Sequence, residues 1–192
     1  TYCTAPAAAE DLVEIKTLLS ASGLPSTDLT ASKLKSFWVA RDPNSPSMHN
    51  IVGVIGLETF SPPRSSPREP HNHNSEGVAL LRSLAVKEGY RNRGIAQSLC
   101  DEMETFARVH YSIRQLYLLT TTAEEYFCNK RGFERTDRKS VPASIQSTSE
   151  FSGGLCPCSA VCLTKHLEEF QHSWQAFFIV RKLALLYMPV HC

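Results

Sequence analysis

The residues best suited to chemistry lie in one stretch, Arg91-Asn92-Arg93-Gly94-Ile95-Ala96, where an apolar segment gives way to a helical pattern. At a helix start the first N–H groups have no intrahelical acceptor, and the aligned peptide dipoles add roughly half a positive charge. An anion fits there. Gly94 and the small Ala96 let a phosphate approach the backbone, and Lys87, Arg91 and Arg93 add side-chain charge. With Arg82 counted, residues 82–93 hold four cations against Glu88 alone. The spacing is not GxxxxGK[ST], so no Lys is placed for a γ-phosphate, and no GxGxxG dinucleotide fingerprint is present. The plainer alternative is a solvated basic loop before an ordinary helix. A buried strand feeding the loop favours the phosphate cradle, because a surface loop needs no such strand.

Elements must hold that cradle in place. Val78 to Val86 is a nearly continuous apolar run, as expected of a central strand covered on both faces. After the loop, Ile95, Leu99, Met103 and Phe106 fall on one helical face. Upstream, Leu12, Ile15, Leu18 and Leu19 predict a first helix over Pro6 to Ser22, stopped by Gly23 and Pro25, and a second short helix is expected around Thr30 to Ser36. Phe37–Arg41 and Ile51–Glu58 read as a hairpin. Downstream come a strand at Gln115 to Thr120, a short helix from about Ala123 ending at Gly132-Phe133, a helix from Val141 to about Ser149 capped by Ser140, and a last strand at Ala160 to Thr164. This order predicts an α+β fold, an α/β arrangement on a mixed sheet.

The chain has 192 residues, enough for one well-packed domain, expected over residues 1–165. Residues 59–77 carry four prolines among Ser, Arg, His and Asn and read as a flexible insertion; residues 166–192 read as a helical C-terminal extension. Twenty Lys+Arg against nineteen Asp+Glu leave a net charge of +1, which gives no field for a nucleic acid or a membrane surface. No apolar run reaches the roughly 20 residues of a bilayer span. An odd count of seven cysteines, with no basic-then-apolar leader before them, favours a reducing, cytoplasmic setting.

The sequence resembles the GNAT superfamily of acyl-CoA-dependent N-acetyltransferases. The family's Gln/Arg-x-x-Gly-x-Gly/Ala signature stands here as Arg91-Asn92-Arg93-Gly94-Ile95-Ala96, preceded by LRSLAV (Leu81 to Val86), which looks like the strand that hydrogen-bonds pantetheine. The resemblance covers roughly residues 5–165. A closer likeness is to the arsenic-resistance-associated branch, carried by LPSTDL (Leu24 to Leu29), FWVAR (Phe37 to Arg41), GVIGLE (Gly53 to Glu58), LYLLTTTAEEYF (Leu116 to Phe127) and VPASIQSTSEFSGGLCPCSAVCL (Val141 to Leu163). It implies a GNAT-like twisted mixed sheet flanked by helices. It also implies acetyl-CoA as co-substrate, no metal requirement, and a small amine as acceptor, with amino-acid analogues and toxic arsenicals in view. The enzyme would work as a monomer or homodimer.

On that resemblance, Leu84, Ala85 and Val86 orient the thioester while Arg91, Asn92, Arg93, Gly94, Ile95 and Ala96 hold the pyrophosphate. An unperturbed α-amine titrates at about 7.7–8.0, so the demand on a base is modest. Glu58 is the first candidate and Glu76 the second, each against the reading of an ordinary surface carboxylate. The family's usual tyrosine donor to the leaving thiolate falls on Phe127 or Cys128, depending on the anchor, because this helix holds one extra residue. Tyr126 is the adjacent phenol, able to reach the sulfur if the helix is locally distorted, and a core aromatic is its alternative. Cys156, Cys158 and Cys162 could bind a thiophilic ion such as trivalent arsenic, though buried structural thiols explain them as well. His71 and His73 read as solvated loop residues. Two further readings stand beside the enzyme of small amines: an acyl-CoA-binding or metalloid-sensing module without turnover, and a protein lysine acetyltransferase.

Overall fold

The computed structural model describes residues 2–45, 50–60 and 77–168. The strands are β1 (Cys3–Pro6), β2 (Phe37–Arg41), β3 (Ile51–Thr59), β4 (Gly77–Val86), β5 (Ile113–Thr120), β6 (Glu134–Arg135) and β7 (Val161–His166). They form one sheet in the order β1-β2-β3-β4-β5-β7-β6. The helices are α1 (Leu12–Ala21), α2 (Ile95–Tyr111), α3 (Glu124–Arg131) and the single-turn α4 (Ala143–Gln146). Neighbouring strands are antiparallel except β4 and β5, which run parallel. A mixed sheet with helices on both faces is the α+β architecture implied by the element order.

Side-chain periodicity decides which helix covers which face. Ile95, Leu99, Met103 and Ala107 recur at helical spacing along α2 and bury against Trp38, Ala40, Val52, Ile55 and Leu57 of β2 and β3. On the other face, Ile15, Leu18 and Leu19 of α1 meet Phe37, Val39 and Val54. Farther along that face, Val141 and Ile145 at α4 cover Leu80 and Cys162.

Two glycines in β3 allow this close packing. A Cβ on Gly53 would lie 2.8 Å from Ile95 Cγ2, so its absence lets the first turn of α2 settle on the sheet. A Cβ on Gly56 would lie 2.3 Å from the Phe37 ring directly across the ladder.

The structure moves several expected boundaries. The first helix begins at Leu12, not Pro6; Cys3–Pro6 is instead an edge strand on β2, and a 3₁₀ turn at Ala9–Asp11 separates the two. The helix expected at Thr30 to Ser36 is a 3₁₀ turn over Lys33–Ser36. Ser140 does not cap a helix: it ends a 3₁₀ turn capped by Asp137, and its hydroxyl donates to the Asp137 carbonyl at 2.8 Å. α4 then starts after Pro142 and lasts only to Gln146. Thr59 and Gly77, expected as the ends of the insertion, belong to β3 and β4, while β7 extends to His166 with Leu167 buried behind it. The prolines of the insertion, Glu76, His71, His73 and the tail beyond residue 168 lie outside the described residues.

Because Gly56 faces an aromatic ring at van der Waals distance, Gly56→Ala is expected to lower unfolding free energy by about 1–3 kcal/mol through overpacking. Urea denaturation of the two proteins measures the difference; an unchanged midpoint would show that Phe37 moves aside without cost.

Candidate active site

β4 and β5 pair only over Gly77 to Leu80 on β4 and Ile113 to Tyr117 on β5. Beyond that point β5 continues its antiparallel ladder with β7 as far as Thr120, and β4 continues with β3 as far as Val86. The facing edges part. Backbone N–H and C=O groups that lose a ladder partner need another one, so this edge suits an extended ligand chain. A cavity of about 380 Å³ fills the gap, walled by Leu84, Ala85 and Val86 on one side and by Leu118 to Ala123 on the other.

The β4 edge is bent as well as unpaired. Val54 pairs with Ala85 and Gly56 with Arg82, so two β4 residues, Ser83 and Leu84, oppose the single residue Ile55. Ser83 takes a left-handed backbone conformation (φ 58°), and the result is a β-bulge. One extra residue reverses the facing of every side chain after it. Ala79 and Leu81 point to the α2 face before the bulge, whereas Leu84 and Val86 do so after it and Ala85 turns to the α1 face.

The 380 Å³ cavity joins a second of about 790 Å³, which shares the Leu84, Val86 and Arg91 walls and reaches Asn92, Gly94, Ile95 and Ala96. Gly94 sits at the N-cap of the 17-residue α2 with φ 79° and offers no capping side chain. The first intrahelical bond runs from Ser98 N to Gly94 O at 3.0 Å, leaving the earlier N–H groups without an intrahelical acceptor. Arg91 Nε donates to the Val86 carbonyl at 3.1 Å, and Arg93 stacks over the Tyr90 ring at 5.0 Å. Tyr90 in turn donates to Asp42 at 2.6 Å, which fixes the loop. The backbone run expected from the sequence, Arg91 to Ala96, is therefore gathered at one helix start, with the Ile95 side chain itself buried in the core.

Arg82 does not join that basic loop. Its guanidinium is buried on the opposite side of the sheet edge, donating to Asp28 at 2.7 and 2.9 Å and to Glu58 at 3.3 Å, with Glu150 2.7 Å away. The four cations counted near the helix start are thus three, Lys87, Arg91 and Arg93, against Glu88. This cluster ties together the loop after α1, the end of β3 and the segment between α4 and β7. Burial disfavours ionisation of Asp28, but hydrogen bonds from Arg82 and Lys33 outweigh it and hold the carboxyl down at about 2. Glu58, the expected base, is one-third exposed and ion-paired to Arg82.

Tyr126 lines the larger cavity from α3. Its hydroxyl is buried against the Cys100 thiol of α2 without a hydrogen bond of good geometry, and burial, then Cys100, pushes its pKa up. α3 is an uninterrupted α-helix without the local distortion that would aim the phenol at the cleft, so the hydroxyl must rotate to reach a sulfur in the cavity. The three clustered cysteines diverge: Cys156 lines the 380 Å³ cavity, Cys158 is exposed and Cys162 is buried beside Leu80. Among the described residues, no group of three or more His, Cys, Asp or Glu is placed to hold a metal ion. Nor is any described helix long and apolar enough to cross a membrane. Sequence reasoning missed Glu150 and Asp28, since nothing local to either marks it; only the fold brings them to Arg82.

A seven-stranded mixed sheet flanked by helices matches the fold of the GNAT acetyltransferases. A family model for the acetyltransferase (GNAT) domain matches residues 33–135, more than half of the chain, and the chain belongs to that family. No curated protein sequence matches it. Among solved structures, N-acetylglutamate synthase from Neisseria gonorrhoeae, complexed with coenzyme A and N-acetyl-glutamate, superposes with a TM-score of 0.68 at 19% identity over 88% of this chain and 36% of the synthase. The present chain thus spans about a third of that enzyme. Rv2747 from Mycobacterium tuberculosis, in complex with CoA and NLQ, gives a TM-score of 0.64 at 19% identity over 86% of this chain and 99% of its own. NAA60 from Arabidopsis thaliana, in complex with a bisubstrate analogue, gives 0.60 at 15% identity over 88% and 100%. At these identities the likeness concerns the fold.

The depressed Asp28 carboxyl has a stability consequence. A carboxyl whose folded pKa lies below its unfolded value stabilises the fold above the unfolded pKa of 3.8, and the contribution fades as pH falls toward about 2. Asp28→Asn should therefore cost on the order of 2 kcal/mol at neutral pH, with the gap to the wild type closing below about pH 3.8. Urea melts of both proteins between neutral pH and about pH 2 read this directly; a gap independent of pH would remove the ion pair as its source.

Proposed function

We propose that this acetyltransferase moves an acetyl group from acetyl-CoA to the primary amine of a small molecule. The observation that carries the reading is the run of three cavities with shared walls, from the uncapped α2 start, along the β4 edge left open by β5, to the Arg82 cluster. One end suits a diphosphate, the middle a pantetheine arm in extended form, and the far end a cationic acceptor. Neighbours of this fold were solved with CoA bound, which agrees with that division.

Each residue then has a task. The N–H groups of Arg93 to Ala96 hold the pyrophosphate, aided by Arg91 and Asn92. Leu84, Ala85 and Val86 align the pantetheine and present N–H groups to the oxyanion that forms when the amine attacks the thioester carbon. Breaking the carbon–sulfur bond leaves a thiolate, whose protonation this reading assigns to Tyr126 once its side chain rotates away from Cys100. Glu58 belongs to the carboxylates on the acceptor side. Amino-acid analogues and arsenicals bearing an amine are the acceptors suggested by the resemblance to the arsenic-resistance branch. The catalytic domain is taken to span residues 1–165, the tail beyond it being an extension. Six cysteines among the described residues are free thiols, in keeping with a cytoplasmic setting.

Release of coenzyme A thiol against a panel of amino acids, amino-acid amides and polyamines tests the activity; tight acetyl-CoA binding without turnover on any amine would favour a sensor. Gly94→Arg forces a long side chain into a left-handed position at the phosphate end and is expected to abolish acetyl-CoA binding in calorimetry. Wild-type affinity in that variant would move the diphosphate elsewhere. Tyr126→Phe should lower kcat by about 10²-fold or more while leaving acetyl-CoA affinity unchanged. A normal kcat would take Tyr126 out of the reaction.

A further inference from the structure

The 380 Å³ cavity has a recess of about 60 Å³ that shares its Leu24, Pro25, Arg82, Ser83 and Cys156 walls and adds Glu150. Resting on the acetyltransferase reading above, we infer that this recess narrows the acceptors named there to cationic primary amines whose neighbouring carboxylate is absent or blocked, and that Glu150 removes the amine's proton.

Three observations support the assignment. First, the recess opens at the bulge formed by Ser83 and Leu84, the point on β4 where the thioester carbonyl lies in the proposed reaction. Second, the wall carries unmatched hydrogen-bonding atoms. The side chains of Arg82 and Glu150 are each only 6% exposed. Yet Arg82 Nε donates no hydrogen bond, and Glu150 Oε1, although 2.7 Å from Arg82 Nη1, accepts none of good geometry. Buried polar atoms are rarely left so, and a small side-chain shift that opens them to the recess would let an acceptor supply an N–H to the carboxylate and a neutral oxygen to Nε–H. Third, the charges do not balance. Asp28, Glu58 and Glu150 face Arg82, with Lys33 exposed at the rim on Asp28, which leaves one negative charge in excess. An ammonium offsets that excess, whereas a free carboxylate beside the amine would meet like charge in a poorly solvated site.

The groups facing Glu150 also set its proton affinity. Burial raises the Glu150 pKa, Arg82 on β4 opposes the rise, and Glu58 on β3 with Asp28 after α1 adds to it. The Cys156 thiol faces it from the same segment. A carboxylate whose pKa is raised is a better base for an α-amine than one in the ordinary range. In the balanced step, Glu150 takes one proton from the ammonium, and the nitrogen lone pair forms the bond to the acetyl carbon. The carbon–sulfur pair leaves with sulfur, the second amine proton ends on the thiolate, and Glu150 returns its proton to water.

The test uses glycinamide, L-alaninamide and L-leucinamide, each beside its parent amino acid, with wild type, Glu150→Gln and Glu150→Asp. Acetyl-CoA affinity by calorimetry and melting temperature are measured for each protein. The amides are expected to exceed the amino acids by about tenfold or more in kcat/KM. Glu150→Gln should lower kcat by about 10²- to 10⁴-fold and abolish the acid limb of the pH profile, with acetyl-CoA affinity unchanged. Glu150→Asp should restore part of the rate with a shifted limb, and it carries the test if the Gln variant melts below the assay temperature. The inference is overturned by a wild-type kcat and pH profile in these variants, by preference for the free amino acids, or by no amide turnover in a protein that binds acetyl-CoA. Failure of the wild type to bind acetyl-CoA overturns the acetyltransferase reading itself, and this inference with it.

Discussion

A parallel strand pair that separates after four residues is the constraint on which the rest of the molecule depends. Hydrogen-bonding groups of a central strand are left open in the interior of a sheet, where they are costly unless something else pairs with them. The fold accepts that cost in one place only along β4, between Leu81 and Val86. The same residues, open on the side facing β5, lead through the loop of residues 87–94 to the α2 start, so the polar strand edge and the helix N-terminus line adjoining cavities. A ligand with an extended polar arm and an anionic head satisfies both at once.

Local irregularities direct that surface. The bulge at Ser83 exchanges which side chains face α2, which turns Ala85 toward α1 and leaves Leu84 and Val86 walling the cavities. Gly53 permits the α2 start to rest on β3, so that helix end is held by core packing through Ile95 and Leu99. Across the edge, Arg82 gathers three separate chain segments by ion pairs. Because the guanidinium is buried, those segments are fixed against one another more firmly than surface ion pairs would achieve.

Much of this could be read along the chain, and the reasons for the rest are physical. The long periodic patterns of α2 and of β2 to β5 were legible because each buries a continuous face whose repeat survives in the residue order. The Arg91 to Ala96 run was legible because helix start, glycine and cations are adjacent in sequence. The edge strands Cys3–Pro6 and Glu134–Arg135 were not, being short, barely apolar and defined only by the partner they meet. Arg82 looked like a fourth cation of the basic loop, since residue order carries no trace of a bulge that re-aims side chains. Glu150 and Asp28 escaped notice for a related reason: 122 positions separate them, and only tertiary structure makes them neighbours.

One ion network bears on how the cleft can change width. Glu104 of α2 accepts from Arg131 at the end of α3 and from Lys165 of β7, at 2.7 and 2.8 Å, while Arg131 also grips Asp101 at 2.7 Å. α2 is therefore bolted, two to three turns after its start, to α3, which lines the larger cavity, and to β7, the strand beside β5. Spreading the walls would pull a nearly buried carboxylate away from two cations. Opening for substrate exchange is thus expected to come from tilting of α2 as a rigid rod or from movement of the outer loops, with the spacing of the two strand edges held constant through the cycle.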